Sequence, residues 1–270
     1  MVILQPVAPV SPAAPYIGGK RVLSKTIISR INATPHDGYA EPFVGMGGVF
    51  LRRTMQPRME AINDISGDVA NLFRILQRHY PQFMETLRFQ VTSRREYERL
   101  VKVDPTTLTD LERAARFLYL QRLAFGGKVS GRNFGVVKEG GARFNLLKLA
   151  PLLEDIHERL AGVVIECLPW RTFIQRYDRP GMLFYLDPPY WGNENDYGAD
   201  VFGREEFVEM ASVLKGLQGT YIVSLNAAPG VFETFKECRV EEVDCTYTIS
   251  GRGQGKAVKE VLITPIKAAR

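Results

Sequence analysis

Cysteine, histidine and tryptophan are scarce in this 270-residue chain, with three, three and two copies. Cys167, Cys238 and Cys245 form no metal-ligand pair, and an odd number is a poor disulfide framework. They read as buried small apolar side chains in a reducing compartment. His36, His79 and His157 stand apart from one another and match no catalytic pattern, so each reads as surface or structural. No run of about 18 apolar residues occurs, which excludes a spanning helix and leaves no expected membrane partner. No cationic stretch followed by an apolar one opens the sequence, so no secretory signal is expected and the cytoplasm is the natural location.

What is present is enough apolar material, 45%, for a full core. Net charge is +5, but it is unevenly spread: Arg88 to Lys148 holds 13 Lys/Arg against 6 Asp/Glu. A basic segment on a near-neutral body suits a polyanionic partner, and a solvated basic helical face is the alternative.

Alternating strand-like and helix-like stretches bracket that basic middle. Strands are expected at 38–43, 59–63, 163–167, 182–186, 220–225, 239–249 and 260–266, and helical periodicity at Val69, Leu72, Phe73 and Leu76 and at 205–217. Residues 81–125 read as helical throughout, with a Thr109/Glu112 capping box. Six glycines in 126–143 suit a mobile loop. The pattern predicts an α/β fold with a mostly parallel sheet and a terminal antiparallel hairpin. It divides the chain into a flexible Pro/Ala-rich tail (1–15), one α/β domain from two segments (16–76 and 151–270) and an inserted helical domain (77–150).

Asp187-Pro188-Pro189-Tyr190 follows an apolar strand, and therefore falls at the sheet edge where open α/β folds bind ligands. The amino nitrogen on a planar heterocycle is a weak nucleophile because its lone pair is delocalised. The Asp187 carboxylate and the Pro188 carbonyl can each accept one of its two hydrogens, drawing the nitrogen toward tetrahedral geometry. Consecutive prolines stiffen the loop, and Tyr190 offers a face for stacking a base. Attack on a sulfonium methyl then needs no cysteine nucleophile and no metal; positioning and charge complementarity do the work.

Glu41-Pro42-Phe43-Val44-Gly45-Met46-Gly47-Gly48 is a strand running into a glycine turn. Phe43, Gly45 and Gly47 are candidates to meet a nucleoside-type cofactor, and Asp64, at the end of the next strand, to bind its ribose. Phe50 stands where a dinucleotide site would want a third glycine, which argues for a cofactor without pyrophosphate. Tyr16 and Lys20 of Tyr16-Ile17-Gly18-Gly19-Lys20 complete this set, the lysine as partner for the carboxylate of a methionine-derived cofactor.

PYIGGK, EPFVGMGGVF, INDIS, FLYLQRLAFGG, LDPPYW and KAVKEVLITP, in this order over residues 15–266, resemble the Dam-type DNA adenine-N6 methyltransferases. The resemblance implies a Rossmann-like sheet with an inserted helical target-recognition domain, S-adenosyl-L-methionine as methyl donor, no metal, and double-stranded DNA as partner. It implies cofactor contacts at Tyr16, Lys20, Asp64 and Asp187, in a protein expected to be a monomer in solution, in a prokaryotic cell or a phage-infected host. The target adenine would be flipped from the duplex. Arg122, Phe125, Lys128, Arg132 and Arg252 are the expected DNA contacts, Phe125 as a wedge and the cations on phosphates. Gln121–Gly127 departs from the family's Asn-Arg-Tyr-Gly-Tyr-Asn-Gly, which leaves the recognition sequence open. RNA or cytosine amino methylation, and a DNA-binding protein without catalysis, are the competing readings.

Overall fold

The computed structural model describes residues 4–16, 18–128, 133–135, 142–192, 202–247 and 256–266. In chain order the strands are β1 (Gln5–Pro6), β2 (Gly38–Glu41), β3 (Met55–Gln56), β4 (Met59–Asn63), β5 (Val164–Glu166), β6 (Met182–Leu186), β7 (Thr220–Asn226), β8 (Arg239–Tyr247) and β9 (Lys256–Thr264). The helices are α1 (Ser24–Ala33), α2 (Gly67–Arg78), α3 (Tyr80–Leu87), α4 (Arg94–Lys102), α5 (Asp110–Leu123), α6 (Leu146–Arg159), α7 (Trp170–Tyr177), α8 (Arg204–Lys215) and α9 (Pro229–Thr234).

Seven strands form one sheet in the order β5-β4-β2-β6-β7-β9-β8. The first five run parallel, and β9 pairs antiparallel with both β7 and β8. This is the Rossmann-like sheet with a terminal hairpin expected from the sequence. Every residue of β2 and β6 is buried, as strands covered by helices on both faces require. From β2 the chain steps outward to β4 and β5, then returns to β6 on the opposite side. The carboxyl ends of β2 and β6 therefore flank the point where strand order reverses, and a crevice opens there.

The basic middle is helical but broken. Where an unbroken helical stretch was expected over 81–125, α3, α4 and α5 are separate, because polar side chains cap new starts: Ser93 accepts from Glu96 N, and Thr109 and Glu112 form the expected capping box. Arg113 pairs with Asp68, and Asn71 with the Asp110 carbonyl, fastening α5 to α2. Helices α2 to α6 share one continuous hydrophobic core with α1 and one face of the sheet, from Phe83 and Phe117 to Ile62 and Leu183.

Two expectations need correction. Residues 5–15 are not a loose tail: β1 pairs with β3, Val10 N donates to Leu51 O at 2.7 Å, and Val10, Ala13 and Ala14 are buried. Prolines there reduce the entropy lost on ordering, and the intervening apolar side chains supply the burial. Cys167 is exposed and Cys238 half-buried rather than both being core residues. Cys167 follows the edge strand β5, whose own residues are only partly covered.

Candidate functional site

A cavity of about 2070 Å³ lies over the carboxyl ends of β2, β4 and β6, and Tyr16, Lys20, Phe43, Gly45, Asp64 and Asp187 all line it. The parallel register places these neighbours: Ala40 pairs with Ala61 on one side and Phe184 on the other, so the strand ends come level. Among the described residues, no group of three His, Cys, Asp or Glu is arranged to hold a metal, and no helix is long and apolar enough to cross a membrane.

Asp64 anchors the cavity on one side. Its Oδ2 accepts from Gly45 N at 2.8 Å and its Oδ1 from Ser66 N at 2.9 Å. Burial pushes its carboxyl up to about 6 against those two bonds, which hold it down. Gly45 and Gly47 both have positive φ, 50° and 75°. Their missing side chains leave room for neighbours rather than for a ligand alone: a Cβ at Gly45 would lie 3.1 Å from the Tyr16 ring, and one at Gly47 2.8 Å from Leu51. Tyr16 thereby lies against the glycine turn beside Asp64. Its approach is fixed from behind by buried Gln121, whose Nε2 donates to the carbonyls of Pro15 and Gly127.

An apolar slot faces this carboxylate. Phe43 packs edge-on to Phe202 at 5.8 Å and lies 6.5 Å from Trp170, whose Nε1 donates to Glu206. Asn63, buried at the end of β4, donates to the carbonyls of Pro42 and Leu168 and accepts from Leu168 N, tying the loop that carries Phe43 to the one that leads into Trp170.

Asp187 stands at the other side, 20% exposed. Its Oδ1 lies 2.9 Å from Lys20 Nζ and accepts from Ser224 Oγ at 3.0 Å; Ser224 is in turn 2.8 Å from the Tyr185 hydroxyl. Desolvation raises its carboxyl to about 6, with Lys20 opposing that shift. Lys20 is 1% exposed and reaches three acceptors: Asp187, Glu260 Oε2 at 3.2 Å and the Tyr190 hydroxyl at 2.6 Å. Tyr190 donates onward to Glu260 Oε1. Nearby Glu41, fully buried in β2, accepts from Tyr39 OH, and burial lifts its carboxyl to about 8.

A profile of the D12 class N6 adenine-specific DNA methyltransferases matches residues 16–249. The chain belongs to this family. It is 25% identical over 275 residues to a type II methyltransferase of Lactococcus lactis subsp. cremoris, covering 94% of each chain. It is 25% identical to a DNA adenine methylase of Haemophilus influenzae (79% of this chain, 77% of that one) and 24% identical to one of Escherichia coli (82% and 84%).

In this methyltransferase the loop after β6 is Asp187-Pro188-Pro189-Tyr190, with both prolines buried. Just beyond it, Asn226 accepts from Trp191 N and donates to Trp191 O, clamping the exit of the loop to the end of β7. Two placements differ from the sequence reading. Lys20 is engaged by Asp187, and the Tyr190 ring, read as a stacking face, has Lys20 Nζ 4.2 Å from its centroid. Glu260, Ser224, Tyr185 and Asn226 were not singled out from the sequence. Tyr185, Ser224 and Glu260 sit inside strands and Asn226 ends one, and only pairing through the sheet reveals that their side chains meet the loop.

The expected DNA contacts separate. Phe125 is 52% exposed where Phe125 N donates to Asn133 O and Gly135 N to Leu123 O. Lys128 is exposed. Arg122 is half-buried and braces the turn, donating to the carbonyls of Arg143 and Ala13. These bonds use two of its five N–H groups within the fold, and Arg122 also lines the cavity. Arg132 and Arg252 lie outside the described residues.

Proposed function

We propose that this methyltransferase moves the methyl group of S-adenosyl-L-methionine to the exocyclic N6 of an adenine flipped out of duplex DNA. The observation that carries this reading is the Asp187 carboxylate at the cavity floor, with Oδ1 engaged by Lys20 and Ser224. Both bonds fall on one oxygen, so Oδ2 is the acceptor for an amino hydrogen, and the Pro188 carbonyl takes the other. Lone-pair density is thereby localised on the nitrogen that attacks.

The residues present fit the donor. Asp64, held by two backbone amides, suits ribose hydroxyls, and the Phe43–Trp170–Phe202 slot suits an adenine ring. The acids Glu41 and Asp187, both lining the cavity, suit a sulfonium cation. The donor supplies an electrophilic methyl group with a neutral thioether as leaving group. Base recognition falls to the surface bearing Phe125 and Lys128, with Phe125 as the wedge that holds the duplex open.

Incubation with methyl-labelled S-adenosylmethionine and random-sequence duplex DNA, followed by nucleoside analysis, tests the reading. Label in N6-methyladenine is the expected result. Label on cytosine, or transfer to RNA alone, would overturn it.

A further inference from the structure

The second carboxylate beside Lys20 has no part in the chemistry described so far. Glu260 is fully buried in β9, opposite Asn226 in the antiparallel pairing with β7, which brings it to the same sheet edge as Asp187. Its two oxygens are divided: Oε1 accepts from Tyr190 OH and Oε2 lies 3.2 Å from Lys20 Nζ. Three oxygens surround the ammonium: the Tyr190 hydroxyl accepts a hydrogen bond from it, and Asp187 Oδ1 and Glu260 Oε2 lie at ion-pair distances. Two carboxylates thus share one buried cation.

We propose that Glu260 is a positioning residue for methyl transfer, which draws part of the Lys20 charge away from Asp187 and fixes Tyr190 beside Lys20. The proposal rests on the functional reading above. A carboxylate in a one-to-one buried pair with lysine is a weak acceptor, because the ammonium satisfies it. With Glu260 taking a share, Lys20 still orients Asp187 through Oδ1, and the ionised Asp187 carboxylate is the stronger acceptor for an amino hydrogen. The bond from Tyr190 to Oε1 sets the aromatic ring in the same step. Charged and titratable groups facing Asp187 are Lys20 from the loop before α1, Glu41 from β2, Tyr185 from its own strand and Glu260 from β9. Of these, Glu260 is the one whose second oxygen also holds the loop tyrosine.

The test uses the full chain with Glu260→Gln and Glu260→Asp. In Glu260→Gln, Lys20 acts on Asp187 alone, so a carbon-13 NMR titration of the Asp187 carboxyl, with no substrate present, is expected to move to lower pH. Single-turnover transfer is expected to fall roughly tenfold to a hundredfold, the range for a misplaced reacting group. Its acid limb should move down with the titration, and affinity for the methyl donor should change little. Glu260→Asp keeps the charge and loses the reach: the titration stays near the native position while transfer still falls. An unmoved Asp187 titration in folded Glu260→Gln overturns the proposal whatever the substrate proves to be, and so does native single-turnover transfer. Absence of adenine methylation by the native chain would instead sink the functional reading, and the titration would still decide the charge coupling.

Discussion

Lys20 Nζ lies 2.9 Å from Asp187 Oδ1, joining the loop before α1 to the Asp187–Tyr190 loop after β6. In the proposed function this contact joins the lysine to the group that activates the amino nitrogen, and Lys20 also lines the cavity.

The two partners should respond differently to removal. Asp187 is 20% exposed, and its loss leaves Lys20 still paired with Glu260. Asp187→Ala is expected to lower transfer by about 10²–10³-fold or more, the scale of one lost electrostatic contact in a transition state, with the melting temperature near native. Lys20→Ala strands Glu260, which is fully buried, and is expected to cost about 3–5 kcal/mol of stability, as for a broken buried pair. Equal melting temperatures for the two variants would contradict this division.

Donor binding should depend on pH. Burial raises Glu41 to about 8 and Asp64 and Asp187 to about 6. A sulfonium beside Glu41 and Asp187, and ribose hydroxyls donating to Asp64, favour the ionised forms and lower these values, so binding releases protons. Affinity is therefore expected to tighten as pH rises from about 5 to 8, in step with the release. Calorimetry in two buffers of different ionisation enthalpy measures the protons directly; equal apparent enthalpies in the two would refute the coupling.

Beneath the site, Glu60 receives Arg53 at 2.5 Å and Arg159 at 2.7 Å, all three buried, with the guanidiniums lying over the Tyr39 and Phe50 rings. Glu60→Ala leaves two buried cations without their acid. Denaturant unfolding should show a loss of about 3–5 kcal/mol, whereas a loss within experimental scatter would mean the rings alone suffice.

Much of the site was legible in the sequence because its parts are contiguous. Asp187 to Tyr190, Gly45 to Gly48 and Tyr16 to Lys20 are short stretches whose residue types announce a turn and a chemistry, and the sheet brings Tyr16, Lys20, Asp64 and Asp187 to one cavity. Glu260 was not legible: within an apolar strand, one acid looks like an outward-facing residue until the β7–β9 register places it opposite Asn226. Residues 5–15 misled for a related reason, since composition shows that a segment is poor in helix and strand formers but not that a groove awaits its alanines. Arg122 shows what charge counting omits, because the bonds from its guanidinium to the backbone carbonyls of Arg143 and Ala13 cannot be read from composition.

Phe125 tests the DNA side of the reading. Its ring is half-exposed, yet the backbone beneath it is rigidly held, with Ala124 bridged to Phe134 and Phe134 packed edge-on against Tyr97 at 5.3 Å. An apolar ring on a braced turn can enter a base step without the turn yielding, offsetting unstacking that costs a few kcal/mol. Phe125→Ala should leave the fold and donor affinity unchanged and slow transfer to a fully paired duplex by roughly tenfold or more. Transfer to a duplex whose target adenine is already mismatched should slow far less, because that base leaves the stack at lower cost. An equal loss on both substrates would show that Phe125 contributes to binding alone, and the wedge would have to be sought elsewhere on this surface.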